Sequence, residues 1–120
     1  MGYTTDFYGQ FTITPPLDAT TVEEINAFCA ERHDNHPIGI WCDLVASPTT
    51  LEWNGAEKTY SLDQWVKYVV NEFIAPKGHR VDGFMEAQGE DPDDRWTLRV
   101  DNNVVAVQET LFIQGDIREV

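Results

Sequence analysis

The sequence predicts a single α+β domain: an antiparallel sheet of about five to six strands with two helices packed on one face. Three observations lead there. The chain has 120 residues, close to the commonest domain length, so one hydrophobic core is expected and two would be hard to build. Short runs of alternating apolar residues are separated by turn signals, and two segments instead place apolar residues at helical spacing. Their order, β, α, β, β, α, β, β, β, favours antiparallel pairing over repeated βα crossover units. An open sheet and a closing barrel both fit this order.

The first strand comes from residues 7–14, where Phe7, Gly9, Phe11 and Ile13 alternate with Tyr8, Gln10, Thr12 and Thr14. Pro15 and Pro16 end it. Residues 20–33 then carry Val22, Ile25, Phe28 and Cys29 on one helical face, with Glu23, Glu24 and Glu31 on the other. Thr21 and Glu24 have the spacing of a capping box, and acids early in a helix suit its dipole. After the polar break at residues 34–37, Ile38, Ile40, Cys42 and Leu44 alternate as a second strand. Ser47 and Pro48 supply a turn into a short third strand at Leu51 and Trp53. Asn54-Gly55 is a hairpin-type signal, with residues 58–60 as the returning strand.

Ser61 is the expected cap of the second helix, with Gln64 reaching back and Tyr60 stapled to Trp65. Its buried stripe is Leu62, Trp65, Val66, Val69, Val70 and Phe73, and Pro76 with Gly78 stops it. A three-strand meander follows over residues 81–88, 95–101 and 104–113, with turns at residues 91–94 and 102–103.

Eight Lys and Arg face twenty-one Asp and Glu, a formal net charge of −13. Neutralising phosphates takes clustered cations, so direct binding to nucleic acid is not expected, nor is binding to anionic membrane. A negative field does speed encounter with a basic protein surface, and it also serves plain solubility. No run approaches the length of a membrane helix and the opening residues lack a signal-peptide pattern, so a cytoplasmic location is expected. In that compartment Cys29 and Cys42 are expected to be reduced.

Several runs carry a likeness. Residues 2–7 (GYTTDF) are followed by Gly9, Phe11 and Pro15-Pro16-Leu17; Gly39-Ile40-Trp41-Cys42 comes next. Then follow residues 51–55 (LEWNG) with Glu57, Lys58 and Tyr60, Val81-Asp82-Gly83, and residues 86–96 (EAQGEDPDDRW). Together they resemble a family of small proteins from actinobacteria and their phages. Such proteins often have a longer connection after the first helix, and residues 34–37 look like a shortened form of it. The resemblance implies a phage or prophage setting and brings no activity, cofactor or partner with it.

Four sets of residues are candidates for chemistry. Glu86, Glu90, Asp91, Asp93 and Asp94 crowd into nine residues. They read as a solvated turn, as a protein-recognition loop, or as a cation site, although the spacing is not that of an EF-hand loop. Cys29, His33, His36 and Cys42 are four good zinc ligands within fourteen residues, set against the tendency of such cysteines to serve as small core residues. Glu52, Glu57 and Asp82 could pair for acid–base work. Tyr8 and Trp41 fall opposite the faces read as buried. Covering by the second helix is the simpler account, and an exposed patch for a protein partner or homodimer is the other.

The chain carries no phosphate-cradling glycine loop, no nucleophile elbow and no His-Glu-x-x-His. The expectation is therefore a non-enzymatic binder or inhibitor of a host protein with a basic surface, with mimicry of DNA as a sharper version. It uses Glu86, Glu90, Asp91, Asp93, Asp94, Tyr8 and Trp41, and no cofactor. The alternatives are a small metal-binding protein or enzyme using its acids, and a virion or assembly accessory protein.

Overall fold

A computed structural model describes residues 4–109 and 117–120. Its strands are β1 (Asp6–Thr14), β2 (Leu44–Ala46), β3 (Thr50–Trp53), β4 (Arg80–Gln88), β5 (Arg95–Asp101), β6 (Val104–Glu109) and β7 (Ile117–Glu119). They form one antiparallel sheet in the order β2-β3-β1-β4-β5-β6-β7. The helices are α1 (Ala19–Ala30) and α2 (Leu62–Val69), the latter continued by a π-helical turn over Val70–Ile74 and a 3-10 turn over Ala75–Lys77. The α+β class and the order of elements are those expected, with β7 as one further, three-residue strand. The sheet is open, with β2 and β7 at its edges. Residues 110–113, expected to prolong β6, lie outside the described residues, as do Gly2 and Tyr3.

Strand alternation decides which face is covered. Phe7, Phe11 and Ile13 of β1, Leu51 of β3, Val81, Met85 and Ala87 of β4, Leu98 and Val100 of β5 and Val105 of β6 all point to one side and are buried. Ile25 and Cys29 of α1 and Leu62, Trp65, Val66 and Val69 of α2 close over the same side. Here α1 lies against β2, α2 against β6 and the π-helical turn against β4. The apolar stripe expected of the second helix is the one that packs, with Phe73 half-buried. Burying a large side chain of this kind stabilises the fold by about 1.5–3 kcal/mol relative to leaving it in water.

Local structure departs from expectation where polar groups outbid periodicity. Asp18, not Thr21, caps α1, accepting from the Thr21 N–H at 2.7 Å. The helix therefore starts at Ala19, leaves Glu23 and Glu24 beyond its first turn, and stops at Ala30. Ser61 makes no side-chain cap; its backbone is left-handed, at φ 56°, and Tyr60 stays exposed. Residues 31–43 are irregular despite the alternation of Ile38, Ile40 and Cys42. Their backbone bonds locally instead: His33 N–H to Ile40 O, and Ile38 N–H to His36 Nδ1. Residues 54–61 form no returning strand, because Asn54 Oδ1 takes the Ala56 N–H and Thr59 Oγ1 takes the Trp53 Nε1–H.

Two close contacts fix the central pair of strands. Gly9 lies opposite Met85 and Gly83 opposite Phe11, with φ of +109° and +128°. A Cβ at Gly9 would meet Phe84 O at 2.7 Å, and one at Gly83 would meet Gln10 O at 2.9 Å. Both glycines are thus required by conformation and by space. At the β2 edge, the outward N–H and C=O of Ala46 are taken by the Asn26 amide of α1, at 2.8 and 2.9 Å.

Candidate functional site

With both helices on one side, no helix among the described residues lies over the other face of the sheet. Register sets its rows. Tyr8, Glu86, Thr97 and Gln108 are neighbours across β1, β4, β5 and β6. The next row runs Gln10, Phe84, Arg99 and Ala106. Tyr8 is 60% exposed and Phe84 51%. The second helix does not cover Tyr8: α2 spends its whole apolar stripe on the opposite face. Tyr8 is therefore exposed and not covered by the second helix.

Trp41 is 48% exposed beside an equally open Ile40. It belongs to the irregular connection before β2 and not to a strand, so the expected strand-borne pairing of Tyr8 with Trp41 is not formed. Tyr8 and Glu86 are brought together. They line a cavity of about 420 Å³ together with Ala87, Gln88, Arg95, Trp96 and Thr97. Gln88 organises its rim. Its Oε1 accepts from Arg95 Nε at 2.7 Å, and its amide N–H groups donate to Gly89 O and Asp91 O, each at 3.1 Å.

Those bonds, with Gly89 N–H to Asp94 O at 2.8 Å and Asp94 N–H to Asp91 O at 3.0 Å, fold residues 89–94 into a compact turn. Glu90, Asp91 and Asp93 are exposed and Asp94 is half-buried. Apart from Glu86, the candidate acids thus sit in the turn between Gln88 and Arg95 at one end of the sheet, and do not themselves line the cavity.

The open face mixes charges. Arg80, Arg95 and Arg99 share it with Asp6, Glu52, Asp82, Glu86, Asp101 and Glu119, a less negative ratio than that of the whole chain. Arg99 lies over the Phe84 ring, 5.8 Å from its centroid, and donates to Gln108 Oε1 at 3.3 Å. Arg80 pairs with Asp82 at 2.5 Å. The Asn102 backbone N–H and that pairing together hold the Asp82 carboxyl below the usual carboxylate range. Aromatic side chains and arginine are types enriched at protein contact surfaces, whereas the carboxylates of this face are types depleted there.

The Cys-His set does not converge. Cys29 and Cys42 meet in the core with sulfurs 3.4 Å apart, whereas His33 Nε2 bonds Phe28 O at 2.8 Å and both imidazoles pack against Phe28 and Trp65, His36 against Tyr68 as well. Among the described residues no three His, Cys, Asp or Glu side chains come together as a metal site. Glu52 and Asp82 share the open face but are separated by β1, and Glu57 lies in the irregular segment after β3. No helix among the described residues is long and apolar enough to cross a membrane.

Sequence reasoning missed Phe84, Arg99, Gln88 and Arg95. Phe84 had a signal: it is the one aromatic on the Asp82, Phe84, Glu86 side of β4, whose other side reads Val81, Gly83, Met85, Ala87. Comparison with protein-family models, with curated proteins and with solved structures finds no match to the chain.

Proposed function

We propose that this chain is a non-enzymatic binding protein that docks a basic protein segment on the sheet face opposite its two helices. The observation that carries the reading is the pairing of exposed Tyr8 with Glu86 across β1 and β4, at a cavity large enough for a side chain. A lysine or arginine of the partner would lie against the Tyr8 ring, where a cation is attracted by the π face, with the Glu86 carboxylate as its counter-charge. Phe84 supplies the neighbouring apolar contact. The turn of residues 89–94 supplies the long-range field that draws a basic surface to this end of the sheet.

The phage or prophage setting, with a host protein as target, rests on the motif resemblance. Mimicry of DNA is the weaker form of the proposal, since a mimic needs carboxylates spread at phosphate-like intervals and these are gathered in one turn.

Retention of partners from a lysate of the natural host tests this. Wild type is compared with Tyr8→Ala/Phe84→Ser and with a variant neutralised at Glu90, Asp91, Asp93 and Asp94. A protein held by the wild type, lost with the double variant and released progressively by salt is the expected result. Retention unaffected by the double variant removes the sheet face from the proposal, and absence of any retained protein at low salt removes the binder itself. Tyr8 and Phe84 both point to solvent, so the double variant should keep its thermal midpoint.

A further inference from the structure

We propose that Cys29 and Cys42 form a reversible intramolecular disulfide on exposure to hydrogen peroxide, tying α1 to the connection that carries Ile40 and Trp41. Cys29 sits in the last turn of α1 and Cys42 just before β2. Both are free thiols in the core, 7% and 0% exposed. Thirteen residues apart in sequence, they touch with Sγ atoms 3.4 Å apart. A disulfide holds its sulfurs at about 2.05 Å, so closure needs about 1.4 Å of approach, within reach of small side-chain rotations.

The two sulfurs are not equivalent. The two thiols share one hydrogen bond in which either can donate; with Cys42 as the donor, Cys29 is the acceptor, and the Leu44 backbone N–H adds to this. The Cys29 thiol is thereby held below its ordinary value against the opposing effect of burial. The same shared hydrogen, with burial, pushes the Cys42 thiol far up. Cys29, which also has the larger contact with solvent, is therefore the sulfur that attacks.

Its thiolate takes one oxygen of peroxide; the O–O bond breaks and hydroxide leaves, taking up the thiol proton as water. Cys42 Sγ then attacks the sulfenic sulfur. The S–S bond forms, the S–O bond breaks, and the hydroxyl departs with the Cys42 proton as a second water. Two thiols give up two electrons and two protons, and one peroxide becomes two waters. A dithiol reductant reverses the bond by exchange. Ordinary buried cysteines that serve only as small apolar residues would do none of this.

The folded protein is treated with peroxide, quenched with catalase, unfolded in iodoacetamide and weighed. The expected product is lighter by about 2 Da, the two hydrogens lost, takes no iodoacetamide, yields a Cys29–Cys42 cross-linked peptide, and reverts with dithiothreitol. It should also melt about 5 °C or more above the reduced form, because the bridge restricts the unfolded chain. Cys42→Ala should gain oxygen at Cys29, and Cys29→Ala should leave Cys42 unmodified. Two iodoacetamide adducts after prolonged peroxide, oxygen added to one cysteine of the wild type, disulfide-linked dimers, or a lower melting point would each overturn the proposal.

Discussion

Asp43 shows how a single carboxyl can work against the fold that contains it. It is buried beside β3, and burial raises its pKa above the usual carboxylate range although Thr59 and Asn54 hydrogen-bond it. The folded chain therefore binds a proton more tightly there than the unfolded chain. Its contribution to stability falls as pH rises through the window between the two pKa values. Asp18 and Asp82 act with the opposite sign: both are lowered, chiefly by backbone N–H groups of Thr21 and Asn102. Their stabilisation is present above the ordinary carboxylate pKa and is lost as pH falls through the folded one. Asp43→Asn should accordingly raise the urea midpoint at pH 7, with the gain shrinking as pH falls toward 4; a gap independent of pH would refute the assignment. At this scale the sequence was informative for Tyr8 and Glu86, whose types and strand positions were visible. It was silent on Asp43, and it put Cys29 and Cys42 in the core without showing that they touch, because both depend on where an irregular connection comes to rest.

Helices and long strands were legible because their apolar spacing repeats over many residues. The stripe of α2 and the alternation of β1, β4 and β5 each carry enough buried side chains to outweigh local preferences. Residues 38–43 repeat the same alternation over too short a span, and local bonds to His36 and His33 prevail. Caps were misread for a similar reason: Asp18, Thr21 and Ser61 are all chemically fit to cap, and the choice falls to backbone geometry. Ser61, left-handed and with no cap bond, occupies a conformation that costs an L-residue about 1 kcal/mol and glycine almost nothing. Ser61→Gly should thus stabilise the protein by about 0.5–1 kcal/mol in chemical denaturation. A loss of stability would mean that the hydroxyl makes a contact of value.

For the molecule as a whole, charge is the dominant uncompensated quantity. The net −13 of the chain repels itself more in the compact state than in the expanded one. Raising sodium chloride from about 20 mM to about 0.5 M shortens the screening length severalfold. It should raise the thermal midpoint by about 3 °C or more, whereas a flat or falling midpoint would show that the surface pairs, such as Arg80 with Asp82, already balance the field. The same salt should weaken the proposed contact with a basic partner, so fold and binding respond to salt in opposite directions. Composition gave the sign of this field; only the register showed that the open face is less negative than the chain as a whole.

The Asn26 amide that occupies the outer edge of β2 has one more implication. A sheet normally grows by offering unpaired N–H and C=O groups to another strand, and that is also how folded chains begin to stack into fibres. Here one border is three residues long and its outward groups at Ala46 are already taken by a side chain. Recruitment of a further strand onto β2 would first have to displace Asn26, which makes the sheet self-terminating at that strand.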